Sequence, residues 1–144
     1  MEQSRRSDDE RVGWGSRPYP WSGFVILHLV LFTPHPTLSH EEREAMATAM
    51  EEAFAAIPEI ARVRVGRRRV LGTSYDDLSP VPFEFLTALE FETVEDLTAY
   101  LQHPTHRALS ERFRGAAQLA LAHDFEIVDA DQLRTLVDPH AKPL

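Results

Sequence analysis

The chain has 144 residues, of which 43% are hydrophobic and 26% charged, and its formal net charge at pH 7 is −8. A domain of this length buries a substantial core, and the composition is that of a globular rather than a disordered protein. The acidic balance disfavours nucleic acid and anionic membranes as partners. The chain has no cysteine, which excludes disulfides, thiolate nucleophiles and cysteine-ligated metals and leads us to expect a cytoplasmic protein.

An N-terminal tail is predicted for residues 1–22, where charged and small residues lead into a proline- and glycine-rich stretch. The tail contains both tryptophans, Trp14 and Trp21, and a purely solvated tail rarely carries such bulk. One interpretation is that the tryptophans pack across the domain or a second subunit. The other is that they form a short docking motif for another protein.

Residues 23–129 are predicted to form one α+β domain. Its first strand, residues 24–33, is apolar on both alternating faces, which is typical of a central strand in a sheet covered on both sides. A helix then begins with a capping box formed by Ser39 and Glu42, and it ends where Pro58 prevents its continuation.

The remaining elements are predicted from the same signals, namely alternation for strands and capping residues or proline for helix starts. In chain order they are a half-exposed strand at 61–65, a loop at 71–82, a strand at 83–92, a helix at 93–102, a helix at 104–122, a strand at 124–128 and a short helix at 130–137. We assign residues 130–144 to a C-terminal helix and tail.

The predicted order is β-α-β-β-α-β, the split βαβ arrangement of a ferredoxin-like α+β fold with an antiparallel sheet. In this topology the helices cover one face of the sheet. Because the first and third strands are apolar on much of both faces, the second face also requires a cover. A second copy of the sheet is the simplest cover, and we therefore expect a homodimer.

The stretch YLQHPTHRAL holds Tyr100, His103 and His106 around a single proline. His103 precedes Pro104, which disfavours helical geometry, so we expect it at a joint between two helices. His106 lies in the first turn of the second helix, where the positive end of the helix dipole favours a neutral imidazole that accepts protons. Tyr100 lies one turn before the break, either within reach of the same pocket or in the core with its hydroxyl at the surface.

His28 interrupts the apolar first strand, either as a core histidine bonded to a neighbour or as a pocket residue. A metal site would combine His28, His103 and His106. We expect no metal, because their spacing is not that of HExxH and no acidic residue is forced to join them.

The main basic run is Arg67, Arg68 and Arg69. In an acidic chain a solvated strand end is the favoured interpretation, and the binding of phosphate or of an acidic carrier protein is the alternative. The sequence has neither a glycine-rich phosphate loop after a strand nor a GxSxG motif, so nucleotide binding and serine-hydrolase chemistry have no support.

Five segments together carry a resemblance to a known family. They are HLVLF at 28–32, AIPEI at 56–60, VG at 65–66, EDLTAYLQHPTHRAL at 95–109 and HDFEIVD at 123–129. The sequence resembles the stress-responsive A/B barrel domain, called Dabb, and the AYLxHPxH core is the specific part of the match. The resemblance implies ferredoxin-like subunits that pair through their sheets to form a dimeric α+β barrel.

The resemblance also implies site residues. Some plant and fungal members close rings in linear polyketides by aldol or Claisen-type chemistry without metal or cofactor. Their base corresponds to His106, a supporting tyrosine to Tyr100, and a pocket histidine to His28, which makes these three the catalytic candidates. Met50 stands where the cyclases have a tyrosine hydroxyl, and we take Met50 and His103 as candidates for substrate contact.

The expected function is the binding of a small apolar or polyketide-like ligand by a dimer, with a cofactor-free, cyclase-like activity as the leading interpretation. Two others stay open: a non-enzymatic stress-responsive or ligand-binding dimer, and a cofactor-independent monooxygenase. We expect no nucleic-acid or membrane partner and no cofactor.

Overall fold

Four strands form one antiparallel sheet. The computed structural model describes residues 25–140, so the predicted tail at 1–22 lies outside the described part of the chain. The strands are β1 (Val25–Pro34), β2 (Arg62–Arg67), β3 (Phe85–Phe91) and β4 (Ala117–Ile127), and their order in the sheet is β2-β3-β1-β4. This sheet and its helices have the ferredoxin-like α+β fold that the sequence predicted.

The helices are α1 (His40–Ala56), α2 (Ser74–Leu78), α3 (Val94–Gln102), α4 (Pro104–Ala116) and α5 (Leu133–Val137), and a 3-10 turn at Ala130–Gln132 precedes α5. The predicted capping box at the start of α1 is confirmed. The Ser39 hydroxyl accepts from the Glu42 amide at 3.2 Å, and the Glu42 carboxylate accepts from the Ser39 amide at 2.7 Å.

The prediction of a helix up to residue 122 was wrong, because α4 ends at Ala116 and the next residue begins β4. The segment AQLALA, residues 117–122, is rich in alanine and leucine, which favour helices. In the folded chain β4 pairs with β1 from Val25 to Pro34, and the hydrogen bonds of this ladder outweigh the local preference.

The loop expected at 71–82 contains the one-turn helix α2. The Asp76 carboxylate organises this turn by accepting hydrogen bonds from the amides of Leu71 and Thr73, both at 3.0 Å. Arg68, from the basic run, reaches the same carboxylate at 3.5 Å. One arginine of the run therefore holds the turn against the end of β2.

The core lies between the sheet and the helices. Its cluster of buried residues comprises Ile26, Ile57, Leu89, Phe91, Leu97 and Tyr100. Ile26 lies opposite Phe91 in the β1–β3 register, so both point to the same face of the sheet. Leu97 and Tyr100 come from α3 and close over that face.

The other face of the sheet is apolar and exposed. We call it the open face; on the three strands β1, β3 and β4 its apolar members are Val25, Leu27, Leu29, Leu31, Leu86, Leu119, Leu121, Phe125 and Ile127. Phe125 is 45% exposed and Leu121 is 38% exposed. The predicted need for a second cover is thus visible in the structure. Between residues 25 and 140 no helix is both long and apolar enough to cross a membrane.

Candidate functional site

A cavity of about 380 Å³ lies on the helix-covered face of the sheet. Its polar lining residues are His28, Thr87, Tyr100, His106 and Ser110. The rest of the lining is almost entirely apolar and includes Val30, Met50 and Phe113. Three catalytic candidates from the sequence and one of the two substrate-contact candidates therefore meet around one space of ligand size.

His28 reaches the cavity from the middle of β1 and is only 7% exposed. It lies directly opposite Asp124 in the β1–β4 register, and its Nδ1 is 2.6 Å from the Asp124 carboxylate. An ionised carboxylate only accepts hydrogen bonds, so Nδ1 carries the hydrogen. Asp124 consequently sets the tautomer and the ring orientation of His28.

Tyr100 lies between the two histidines. Its ring centroid is 5.7 Å from that of His28 and 4.4 Å from that of His106, and Phe91 packs on it at 5.1 Å. The residue is 3% exposed, and burial raises the pKa of Tyr100 to about 12. The phenol is therefore a proton donor, rather than a phenolate, throughout the physiological range.

His106 is held by the backbone of the preceding helix. Its Nδ1 lies 3.1 Å from the carbonyl oxygen of Leu101. Because a carbonyl oxygen only accepts, Nδ1 donates the hydrogen, and the neutral ring keeps its lone pair on Nε2. Nε2 is thus the nitrogen of His106 that can accept a proton.

The surroundings of His106 keep it neutral. Burial lowers the pKa of its imidazole below the ordinary value of 6.5, and the nearby His28 and His103 lower it further. The hydrogen bond to the Leu101 carbonyl acts in the opposite direction and only partly compensates. The expectation of a neutral imidazole from the helix dipole thus agrees with this direction, although burial is the largest cause.

His103 forms the joint between α3 and α4. It is the C-cap of α3 and the N-cap of α4, and its Nδ1 accepts a hydrogen bond from the Thr105 amide at 3.1 Å. It is not among the residues that line the cavity. The structure therefore gives it a capping role, and brings only Met50 of the two substrate-contact candidates to the cavity.

Asp124 and Thr87 were not recognised as site residues from the sequence. Asp124 lies at the first position of the strand predicted over 124–128, and its proximity to His28 depends on the strand register. Thr87 is one polar residue within an alternating strand, and it carries no motif. A prediction that set the β1–β4 register correctly would have found Asp124, whereas no sequence signal marks Thr87.

Within residues 25–140 there is no group of three or more histidine, aspartate or glutamate side chains arranged to hold a metal ion. Of the three histidines considered from the sequence as a metal site, His28 and His106 line the cavity and His103 does not. The polar groups of the cavity can accept, donate and position protons.

Comparison with known proteins identifies one family model, described as the Stress responsive A/B Barrel Domain, which matches residues 26–127. No curated protein matches the sequence significantly. A dimeric ferredoxin-like protein of unknown function from Thermobifida fusca is 26% identical, with a TM-score of 0.58, over 74% of this chain and 93% of its own.

Two further solved structures share the fold at lower identity. A Dabb family protein from Mesorhizobium loti is 21% identical, with a TM-score of 0.58, over 74% of this chain and 99% of its own. The hydroxynitrile lyase of Passiflora edulis is 17% identical, with a TM-score of 0.64, over 74% of this chain and 95% of its own. At these identities the likeness concerns the fold alone.

Proposed function

The chain belongs to the stress-responsive A/B barrel domain family, and from that premise we propose that it binds a small apolar ligand and removes a proton from it without metal or cofactor. The observation that carries the proposal is the state of His106. Its Nδ1 is bound to the Leu101 carbonyl and its pKa is lowered, so a neutral Nε2 is available as a base at neutral pH.

Tyr100 supports the same chemistry as a neighbouring hydrogen-bond donor. Removal of a proton next to a carbonyl places negative charge on the carbonyl oxygen, and a donor is needed to hold it. The phenol of Tyr100, with its pKa raised to about 12, retains its hydrogen and packs 4.4 Å from the His106 ring, measured between ring centroids. The rings of the proposed base and the proposed donor are therefore adjacent.

The reaction we propose is an intramolecular condensation. Nε2 of His106 takes a proton from a carbon between two carbonyls, and the resulting enolate is held by the Tyr100 hydroxyl. The enolate carbon then attacks a second carbonyl of the same chain, which forms a carbon–carbon bond and an alkoxide. The imidazolium of His106 returns its proton to that alkoxide, so that base and charge are restored.

The cavity supports an apolar ligand with few polar groups. Its volume of about 380 Å³ is at the lower end of the range of small-molecule sites. Met50 lines it where a tyrosine would bring a hydroxyl, and Phe113 lines it from α4. We propose a linear β-polyketone or a related β-dicarbonyl compound as the substrate class.

The open face supports the assembly that we propose, a homodimer with the two sheets face to face. An apolar sheet face with Phe125 at 45% exposure is unfavourable in water, and a second copy buries it symmetrically. Dimeric ferredoxin-like proteins from three bacteria share the fold, and the matches extend over 93 to 99% of their chains.

The test compares wild-type protein with His106→Asn. Asparagine keeps a short side-chain amide that can donate to the Leu101 carbonyl, but it has no basic nitrogen. We expect both proteins to bind 1-phenylbutane-1,3-dione in calorimetry with similar affinity. Ring closure of linear tri- and tetraketones, followed by mass spectrometry and chromatography, should fall by about 100-fold or more in the variant.

Equal turnover by both proteins would show that His106 is not the base. Binding without turnover in either protein would favour the second candidate, a non-enzymatic ligand-binding dimer. The absence of a side-chain hydroxyl at Met50 supports this candidate. A monooxygenase would consume oxygen with the bound ligand, which an oxygen electrode measures directly. Failure of every β-polyketone to bind would remove the cyclase proposal.

A further inference from the structure

Thr87 presents a buried hydroxyl without a partner. The residue is 3% exposed, and its Oγ1 is buried and makes no hydrogen bond within residues 25–140. It belongs to β3, on the face that the helices cover, and it lines the same cavity as His28 and His106. It is therefore a polar group at the cavity whose hydrogen bond is left unmade.

The side chains directly beside Thr87 in the sheet are apolar. Val30 on β1 and Val65 on β2 lie directly opposite it in the sheet registers. A valine would fill nearly the same volume as the threonine without a hydroxyl, and an unsatisfied buried hydroxyl is unfavourable. Folding alone thus gives no reason for a hydroxyl here, whereas a ligand that bonds to it does.

We propose that the Thr87 hydroxyl is a binding point for an oxygen atom of the ligand, separate from the base and the phenol. The inference rests on the proposed function, since it assigns a further contact in the same cavity. A threonine hydroxyl donates one hydrogen bond and also accepts, and rotation about χ1 moves it between staggered positions. A carbonyl or hydroxyl oxygen in the cavity supplies the missing partner.

The strand register separates this contact from His28. His28 lies opposite Leu89, and Thr87 is two residues further along β3. Diagonal neighbours of this kind in an antiparallel pair are about 7 Å apart. The ligand class we propose is therefore a molecule with at least two oxygen functions, one for the Tyr100 phenol and a separate one for the Thr87 hydroxyl.

This second oxygen contact also bears on Met50. The family's cyclases have a tyrosine hydroxyl at that position according to the resemblance, and Met50 supplies none. Thr87 enters the cavity from the sheet rather than from α1, where Met50 lies. In this protein the hydroxyl that orients the ligand is thus on β3, at Thr87, rather than on α1. The shape of the accepted substrate changes accordingly.

The test uses two variants and two probes. Thr87→Val removes the hydroxyl and keeps the shape, while Thr87→Ser keeps the hydroxyl. The probes are 1-phenylbutane-1,3-dione and butylbenzene, which share a carbon skeleton and differ in the two oxygens. We expect Thr87→Val to bind the dione about tenfold more weakly than wild type and to bind butylbenzene unchanged, with Thr87→Ser close to wild type for both.

Thermal unfolding without ligand provides the second measurement. Because the hydroxyl has no protein partner, Thr87→Val should unfold at the same temperature as wild type or a few degrees higher. A clear fall in its unfolding temperature would overturn the inference, because it would reveal a partner for the hydroxyl within the protein.

Equal affinity of wild type and Thr87→Val for the dione would also overturn the inference and leave the proposed function intact. The two proposals can also fail the other way round. If Thr87→Val selectively lost dione binding while His106→Asn kept wild-type turnover, the Thr87 contact would be supported and His106 would be rejected as the base. If neither probe bound to wild type, the Thr87 contact and the ligand cavity would be rejected together.

Discussion

Two imidazoles in one cavity differ because their Nδ1 partners differ. His28 donates to the Asp124 carboxylate at 2.6 Å, and His106 faces the Leu101 carbonyl at 3.1 Å. The carboxylate fixes the orientation of the His28 ring from the neighbouring strand, whereas the Leu101 carbonyl fixes that of His106 from the preceding helix. Burial lowers the pKa of His106, so its neutral ring is suited to accept a proton.

At the residue scale the sequence predicted three residues that line the cavity and missed Asp124, the carboxylate partner of His28. Tyr100, His106 and His28 were identified from the motif and from the resemblance. Asp124 is separated from His28 by 96 positions, and only the strand register brings them together. Long-range pairing of this kind leaves no periodic signal in either segment.

The lowered pKa of His106 predicts a pH effect on stability. In the unfolded chain the imidazole titrates near its ordinary value of 6.5, while in the folded chain it titrates below that value. Between the two values the unfolded state binds more protons, so the free energy of unfolding falls as the pH falls through 6.5. Urea denaturation at several pH values measures this slope.

His106→Asn should reduce that slope, because the variant has no group to protonate at this position. His40→Asn, at an exposed position on the first turn of α1, serves as the matched control for the loss of a histidine. A slope in His106→Asn as steep as in wild type would contradict the prediction. If His106 is the proposed base, its lowered pKa predicts that turnover persists below pH 6.5 before it declines.

At the scale of elements, the junction between α3 and α4 positions His106, the proposed base. His103 accepts from the Thr105 amide and ends one helix while it begins the next, with Pro104 as the first residue of α4. His106 follows within the first turn, and its Nδ1 returns to the Leu101 carbonyl in α3. The motif HPTH thus encodes a local geometry, which is why the sequence alone predicted it.

Loss of this cap should destabilise the protein measurably. We expect His103→Ala to lower the free energy of unfolding by about 1 kcal/mol, as for other N-cap residues, because the Thr105 amide loses its acceptor. His103→Asp should restore most of the loss, since a carboxylate is a good N-cap acceptor. Denaturant unfolding of the three proteins measures the difference, and equal stability of the alanine variant would contradict the capping role.

The boundary between α4 and β4 shows the limit of local patterns. The segment at 117–122 has good helix formers and also alternates alanine with larger side chains. Its pattern therefore fits both the 3.6-residue period of a helix and the two-residue period of a strand. Its assignment is decided by β1, which offers a strand edge that needs a partner over its full length. A local sequence pattern does not reveal this pairing, because the partner strand β1 lies about ninety positions away in the chain.

At the scale of the molecule, the open face predicts the oligomeric state. Leu121 and Phe125 lie on β4 and remain 38% and 45% exposed. We expect light scattering to give twice the chain mass of 16.4 kDa at micromolar concentration. The double variant Leu121→Glu/Phe125→Glu should instead give the monomer mass, because two charges would be buried between the sheets.

Leu78→Glu provides the matched control. Leu78 is 78% exposed but belongs to α2, outside the open face, so this variant should keep the dimer mass. A monomeric wild type would refute the dimer. Dissociation by Leu78→Glu as readily as by the double variant would move the interface to α2 and the turn around it.

Local patterns in the amino-acid sequence predict the fold class, the apolar character of both sheet faces and the helix joint at His103, because alternation, capping and proline act over a few residues. The motif and the family resemblance add His106 as a candidate. Three features emerge only from the folded chain: β4 begins at Ala117, Asp124 engages His28, and the Thr87 hydroxyl lies unpaired at the cavity. Each of these depends on strand register and packing across the sheet, which join residues far apart in the chain and are not encoded in any local pattern.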